Sequence, residues 1–179
     1  NASGFGELTV VGRGFFAAFA DSTRGVFAGG ASTTWTNIID YITVATTGNA
    51  TDFGDLTDAR EKPAGNADST RGLIGGGRNT SARQNYIEYI TIQSTGNSTD
   101  FGDLTTVREE LGSCADATRA CWAGGVDAST LSNVIDYVTI QTTGNAGDFG
   151  NLLAGRYALA STSDAKRGLI MGGQSSANV

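Results

Sequence analysis

Histidine is absent from the 179 residues. With it go the commonest general base, the commonest metal ligand and every Ser–His or Cys–His catalytic pair. Two cysteines are too few for a zinc site built from Cys and His. One proline stands beside 26 glycines, and no low-complexity run interrupts them, which describes an ordered chain that turns tightly on glycine. No apolar stretch approaches the roughly 20 residues of a membrane-spanning helix. Basic charge is scarce as well. Twelve Lys and Arg against 18 Asp and Glu leave a net charge of −6 and a pI near 4.5. Nucleic acid and an anionic membrane are therefore not expected partners, because both select a basic surface. What remains is a chain long enough to bury a core, with no cofactor indicated.

What is present is a repeat. "TGNATDFGDL" at 47–56 returns as "TGNSTDFGDL" at 95–104 and "TGNAGDFGNL" at 143–152, and the chain opens inside a fourth copy, "NASGFGEL", at 1–8. Its aromatic recurs at one constant interval, as Phe5, Phe53, Phe101 and Phe149. Three further landmarks keep the same phase. They are Arg24, Arg71, Arg119 and Arg167 in "ADSTRG" and its variants, the pairs Gly29-Gly30, Gly76-Gly77, Gly124-Gly125 and Gly172-Gly173, and "IIDYITV", "YIEYITI" and "VIDYVTI". A fixed period of this length decides the architecture before any local reading does.

Each unit reads as four short strands. The first spans 13–20, 60–67, 108–115 and 156–163. A tight turn leads to the second, "RGVFAGG" or its equivalents. A loop of varying length precedes the third, rich in β-branched and aromatic residues. The fourth is "DFGDL", with TGN as the turn before it. No segment carries a helical period, so the chain is expected to be all-β. Four antiparallel strands in a unit of about 48 residues match the size of one β-propeller blade. The predicted units are the last strand of a preceding blade at 1–9, blades at 10–57, 58–105 and 106–153, and a partial blade at 154–179. The sequence reads as an excerpt of a longer chain, with additional blades or a second copy completing a ring.

The Gly pair ending the second strand, the Tyr of the third, the aromatic of the fourth and the Arg opening the next unit resemble the kelch repeat, with Phe where kelch blades carry Trp. The wording of the repeat is also similar to tail-fibre and other virion proteins of phages, marine ones in particular. These resemblances imply a non-enzymatic structural or recognition module of a virion or extracellular assembly. Its partners would be other virion or assembly proteins or a host surface receptor, with a homo-oligomer as one way to complete the ring. An intracellular kelch-type scaffold that binds a peptide is the alternative. A glycan-acting enzyme is disfavoured by the missing His and by the absence of a carboxylate cluster unique to one unit.

The repeated phrase is expected to pack neighbouring units together through its Phe and Leu. TGN is expected to turn with positive φ, with Asp52, Asp100 and Asp148 bonding turn N–H groups. A Ca²⁺ site in the same phrase is the alternative, and so is a sialidase-like Asp-box, whose Ser only the second full copy supplies. Arg13, Arg60, Arg108 and Arg156 are expected to bond carbonyls or to pair with Asp40, Glu88 and Asp136; a ring of Arg for an anionic ligand is the sharper reading. Cys114 and Cys121 flank a turn and sit opposite one another, as two thiols or as a disulfide.

Function should lie in what differs between units. The loop after the second strand and the loop entering the next unit emerge on one face, and the two repeated turns emerge on the other. Trp35, Arg60, Arg78, Arg83, Glu109 and Tyr157 fall in the varying loops and are the candidate partner-binding residues.

Overall fold

The computed structural model describes residues 4–128, 130–164 and 166–175. Among them lie fourteen strands and no helix. The strands form four antiparallel sheets, each inside one repeat. The first holds β1 (Ala17–Ala20), β2 (Arg24–Ala28), β3 (Ile38–Thr43) and β4 (Thr51–Asp55). The second holds β5 (Ala64–Ala67), β6 (Arg71–Gly75), β7 (Tyr86–Thr91) and β8 (Thr99–Asp103). The third holds β9 (Gly112–Ala115), β10 (Arg119–Ala123), β11 (Val134–Thr139) and β12 (Gly147–Asn151). The last pairs β13 (Tyr157–Ser163) with β14 (Gly168–Gln174). Strand order within each sheet follows the sequence, and the described sheets do not close into a ring.

The first strands begin later than the sequence suggests, at Ala17, Ala64 and Gly112 rather than at the preceding arginines. A kink takes the intervening residues. Phe15, Lys62 and Glu110 have φ of 57°, 57° and 58°, left-handed values that interrupt the extended backbone before each of these strands, and Ala158 has the same conformation, φ 52°, near the start of β13. Residues 4–8, expected as a fourth strand, form none. They nevertheless make the same bonds to the next repeat that β4 and β8 make.

Those bonds explain the repeated phrase. The N–H of Gly96 donates to Phe53 O (2.7 Å), that of Gly144 to Phe101 O (2.8 Å) and that of Gly48 to Phe5 O (2.8 Å). So the TGN of one repeat is the backbone partner of the DFG of the repeat before it. Asn acts through its side chain: Oδ1 of Asn49, Asn97 and Asn145 accepts from the N–H of Glu7, Asp55 and Asp103. The expectation that Asn supplies positive φ is thereby corrected, since Asn49, Asn97 and Asn145 are not among the positive-φ residues. The glycine of DFG is required by contact. A Cβ on Gly102 would lie 2.5 Å from Gly144 O, and one on Gly54 would lie 2.4 Å from Gly96 O. Asp148 accepts from the N–H of Gly150 at 3.0 Å, within its own strand rather than from the TGN turn as expected.

The core lies between sheets. Phe53 and Leu56 pack with Ile74, Ile90 and Ile92 of the next repeat. Phe101 and Leu104 pack with Trp122, Val138 and Ile140. Burying each such side chain is worth about 1.5–3 kcal/mol. The Gly pairs add a second junction. Gly30, Gly77 and Gly125 donate to the carbonyls of Arg60, Arg108 and Arg156 in the following repeat, at 2.8, 2.8 and 2.7 Å.

Candidate recognition face

The strand-opening arginines are structural. Arg13 pairs with Asp40 at 2.8 Å, Arg60 with Glu88 at 2.5 Å and Arg108 with Asp136, all with fully or almost fully buried side chains. Burial lowers the pKa of each guanidinium, and the facing carboxylate opposes that effect. Arg60 must therefore be removed from the partner-binding set: it has no exposed surface to offer. The second repeat also accounts for its own exception. Glu88 is one methylene longer than Asp40 and Asp136, and it accepts from Ser98 Oγ at 3.0 Å. Asp40 and Asp136 instead accept from the hydroxyls of Thr9 and Thr105. Ser98, the one feature matching an Asp-box, is thus explained by the buried carboxylate it serves, and the other full copies carry Ala50 and Ala146 there.

The face where strands enter and leave has a fixed backbone frame. Gly14 bridges Ala31, Glu61 bridges Arg78 and Glu109 bridges Val126. Those three residues bridge in turn to Trp35, Arg83 and Leu131. Beside them runs a chain of bonds between left-handed residues. Lys62 N–H donates to Phe15 O (2.6 Å), Glu110 N–H to Lys62 O (3.2 Å) and Ala158 N–H to Glu110 O (3.1 Å). The backbone is the same each time, and the side chains are Phe, Lys, Glu and Ala.

On this frame one contiguous cluster forms from three repeats. Arg78 lies over the Trp35 ring, its guanidinium carbon 5.5 Å from the centroid. Arg83 Nε sits 2.8 Å from Glu109 Oε1, off the hydrogen-bond direction, and Arg78 reaches the same oxygen at 3.9 Å. Lys62 holds Glu110 at 2.6 Å and Glu109 at 3.8 Å. Burial works against the charge of Lys62, but the hydrogen bond and attraction of Glu110, joined by Glu109, outweigh it and raise its pKa. Phe15, 66 % exposed, faces the Lys62 ammonium at 5.8 Å. An open depression of about 260 Å³ lies between Phe15, Pro63, Leu111 and Ala158. Arg78 Nε is buried and has no hydrogen-bond partner.

Of the sequence candidates, the structure brings Trp35, Arg78, Arg83 and Glu109 together, but Glu109, 2 % exposed, is buried like Arg60 and acts by holding the cations rather than by meeting a partner. Tyr157 lies outside the cluster, its hydroxyl donating to Gln174 within the last sheet. Phe15, Lys62 and Glu110 were missed. Their signal is a set of positions in phase with the repeat whose residue types have nothing in common. Cys114 and Cys121 stand opposite one another in register, and both are free.

Arg24 and Arg71 open second strands on the other face. They donate to Ile92 O and Ile140 O of the next repeat while lying over Tyr41 and Tyr89. These arginines tie repeats together and carry no address of their own. Fold and face together define an all-β repeat protein with one individual surface. Neither a protein-family model nor a curated protein matches the sequence.

Proposed function

We propose that this chain is a non-enzymatic recognition module, part of a propeller of kelch-like blades, that binds its partner through the face of varying loops. The observation that carries the reading is the contrast on that face: one backbone frame, repeated, with different side chains at each equivalent position. The cluster of Trp35, Arg78, Arg83, Lys62 and Glu109 has the composition of a binding hot spot, an aromatic and arginines around a shielded carboxylate. The wording of the repeat favours a virion fibre or another exposed assembly as the setting, and a host surface receptor or a neighbouring assembly protein as the partner.

The test is attachment. Labelled chain is screened against immobilised glycans and against host-cell surface protein. Replacing Trp35 and Arg78 with Ala should abolish whatever attachment is found, with the thermal transition unchanged. Replacing Ser22 and Ser69 with Ala, on the opposite face, should leave it intact. Loss with the serine pair and retention with the first pair would place recognition on the repeated turns and end this reading.

A further inference from the structure

We propose that the Cys114–Cys121 pair is a thiol–disulfide exchange site that takes up a small anionic disulfide from solution. This proposal stands apart from the recognition face. The pair belongs to one repeat only; the equivalent positions hold Phe19 and Val26, Asn66 and Leu73, and Thr162 and Leu169. β9 and β10 place Cys114 opposite Cys121. Asp116 N–H bonds Arg119 O at 2.9 Å. Counting back two residues on each strand makes the cysteines a hydrogen-bonded pair, about 5.5 Å apart at Cα. That lies inside the range a disulfide spans.

The sulfurs are reachable. Both border an open crevice of about 210 Å³, lined also by Arg119, Phe149, Lys166 and Arg167. A Cβ on Gly168 would lie 2.4 Å from Cys114 Sγ, so the adjoining hairpin packs its glycine backbone against one side of that sulfur and leaves the crevice as the approach. The two carboxylates at the rim are engaged by their own turns. Asp116 accepts from Arg119 N–H and Asp164 from Arg167 N–H, each at 2.7 Å. Three cations and two ionised carboxylates therefore line the crevice, a net positive rim that suits a disulfide bearing carboxylates.

The two thiols differ. The neighbouring Cys121 thiol draws the pKa of Cys114 down to about 7 against the opposing effects of burial and Asp116. The same proximity raises that of Cys121. Cys114 thiolate attacks one sulfur of the incoming disulfide, the S–S bond breaks, and a first thiolate leaves and takes a proton from solvent. Capping Cys114 removes the negative charge that kept Cys121 protonated. Cys121 then loses its proton to solvent and attacks Cys114 Sγ, and the second thiolate leaves. The protein dithiol is oxidised by two electrons, and the external disulfide is reduced to two thiols.

The test uses oxidised glutathione with the purified chain at neutral pH, followed by intact mass. Wild type should lose two hydrogens and retain no glutathione. Cys121→Ser should hold one glutathione on Cys114. Cys114→Ser should hold one glutathione on Cys121, which titrates there without Cys114 beside it. Limited alkylation of the wild type with peptide mapping reads the order of attack while both thiols are present: Cys114 should be labelled first. Equal labelling in the wild type, or wild type that accumulates a stable glutathione adduct, would each overturn the proposal.

Discussion

Phe101 and Phe149 stand in the same phrase, on equivalent strands of successive repeats, and fare differently. Phe101 is 2 % exposed and Phe149 57 %. Their contacts inside the repeat are alike: Phe101 meets Tyr89 edge-on at 6.2 Å and Phe149 meets Tyr137 at 6.0 Å. The neighbour makes the difference. Trp122, Val138 and Ile140 of the third sheet cover Phe101. Beyond Phe149 lies a sheet of two described strands, β13 and β14. A repeat here does not own its core. Each junction does, and stability is expected to follow nearest-neighbour contacts.

The comparison can be broken most directly at the aromatic itself. Phe101→Ala should cost about 3–5 kcal/mol, by lost burial and a cavity. Phe149→Ala should cost less than about 1 kcal/mol. Chemical denaturation of both variants decides, and equal losses would mean that burial at the junction is not what stabilises the fold.

The buried charges offer a second contrast. Arg108→Ala leaves Asp136 uncompensated in the interior and should cost about 3–5 kcal/mol as well. Arg156, its counterpart in the last repeat, makes an exposed hydrogen bond to Gly172 O. Its replacement should stay within about 0.5 kcal/mol. A mild Arg108 variant would show that Asp136 is solvated by some other route.

Glycine sharpens the point at the backbone. Gly102 and Gly150 share a left-handed φ, of 142° and 139°. Only Gly102 has a neighbour's carbonyl where a Cβ would go. Because the strain of positive φ is common to both, Gly102→Ala should exceed Gly150→Ala by about 1–3 kcal/mol of overpacking. Matching melting shifts would make φ the sole reason for glycine.

The smallest effect lies in the turns. Asp21 receives Gln93 from the next repeat, and Asp68 receives Gln141. Burial opposes ionisation of Asp21, but the N–H groups of Arg24 and Thr23, the Gln93 amide and the Thr23 hydroxyl together outweigh it and hold its pKa at about 2, below the ordinary 3.8. A depressed carboxylate stabilises the fold above the unfolded pKa, and that stabilisation is lost as pH falls through about 2. Melting temperature should therefore decline between about pH 4 and pH 2. Gln93→Ala should raise the NMR-observed pKa of Asp21 and leave that of Asp116 unmoved. An Asp21 that titrates at its ordinary value would remove the turn from the junction.

The all-β class, the four-strand meander and its constant period were legible because they rest on local chemistry: alternating strands, turn residues and recurrence. The pairing of Arg13, Arg60 and Arg108 with Asp40, Glu88 and Asp136 was legible too, since each partner recurs in phase. Part of the candidate face was visible, as Trp35, Arg78, Arg83 and Glu109 fall in the loops that vary. Arg60 was misplaced among them because a loop's sequence does not tell which of its residues turns inward. Lys62 and Glu110 sit next to residues that were chosen, yet their importance depends on a left-handed kink that no residue type there announces.

By itself, the sequence determined the unit and how often it recurs, because hydrophobic alternation and turn chemistry act over a few residues. Tertiary structure decided which unit touches which group of its neighbour. It paired TGN with the DFG of the preceding repeat, covered Phe101 and left Phe149 open, and gathered one cation-rich cluster from three repeats. Such contacts depend on the placement of whole sheets, and identical phrases acquire different environments only once that placement exists.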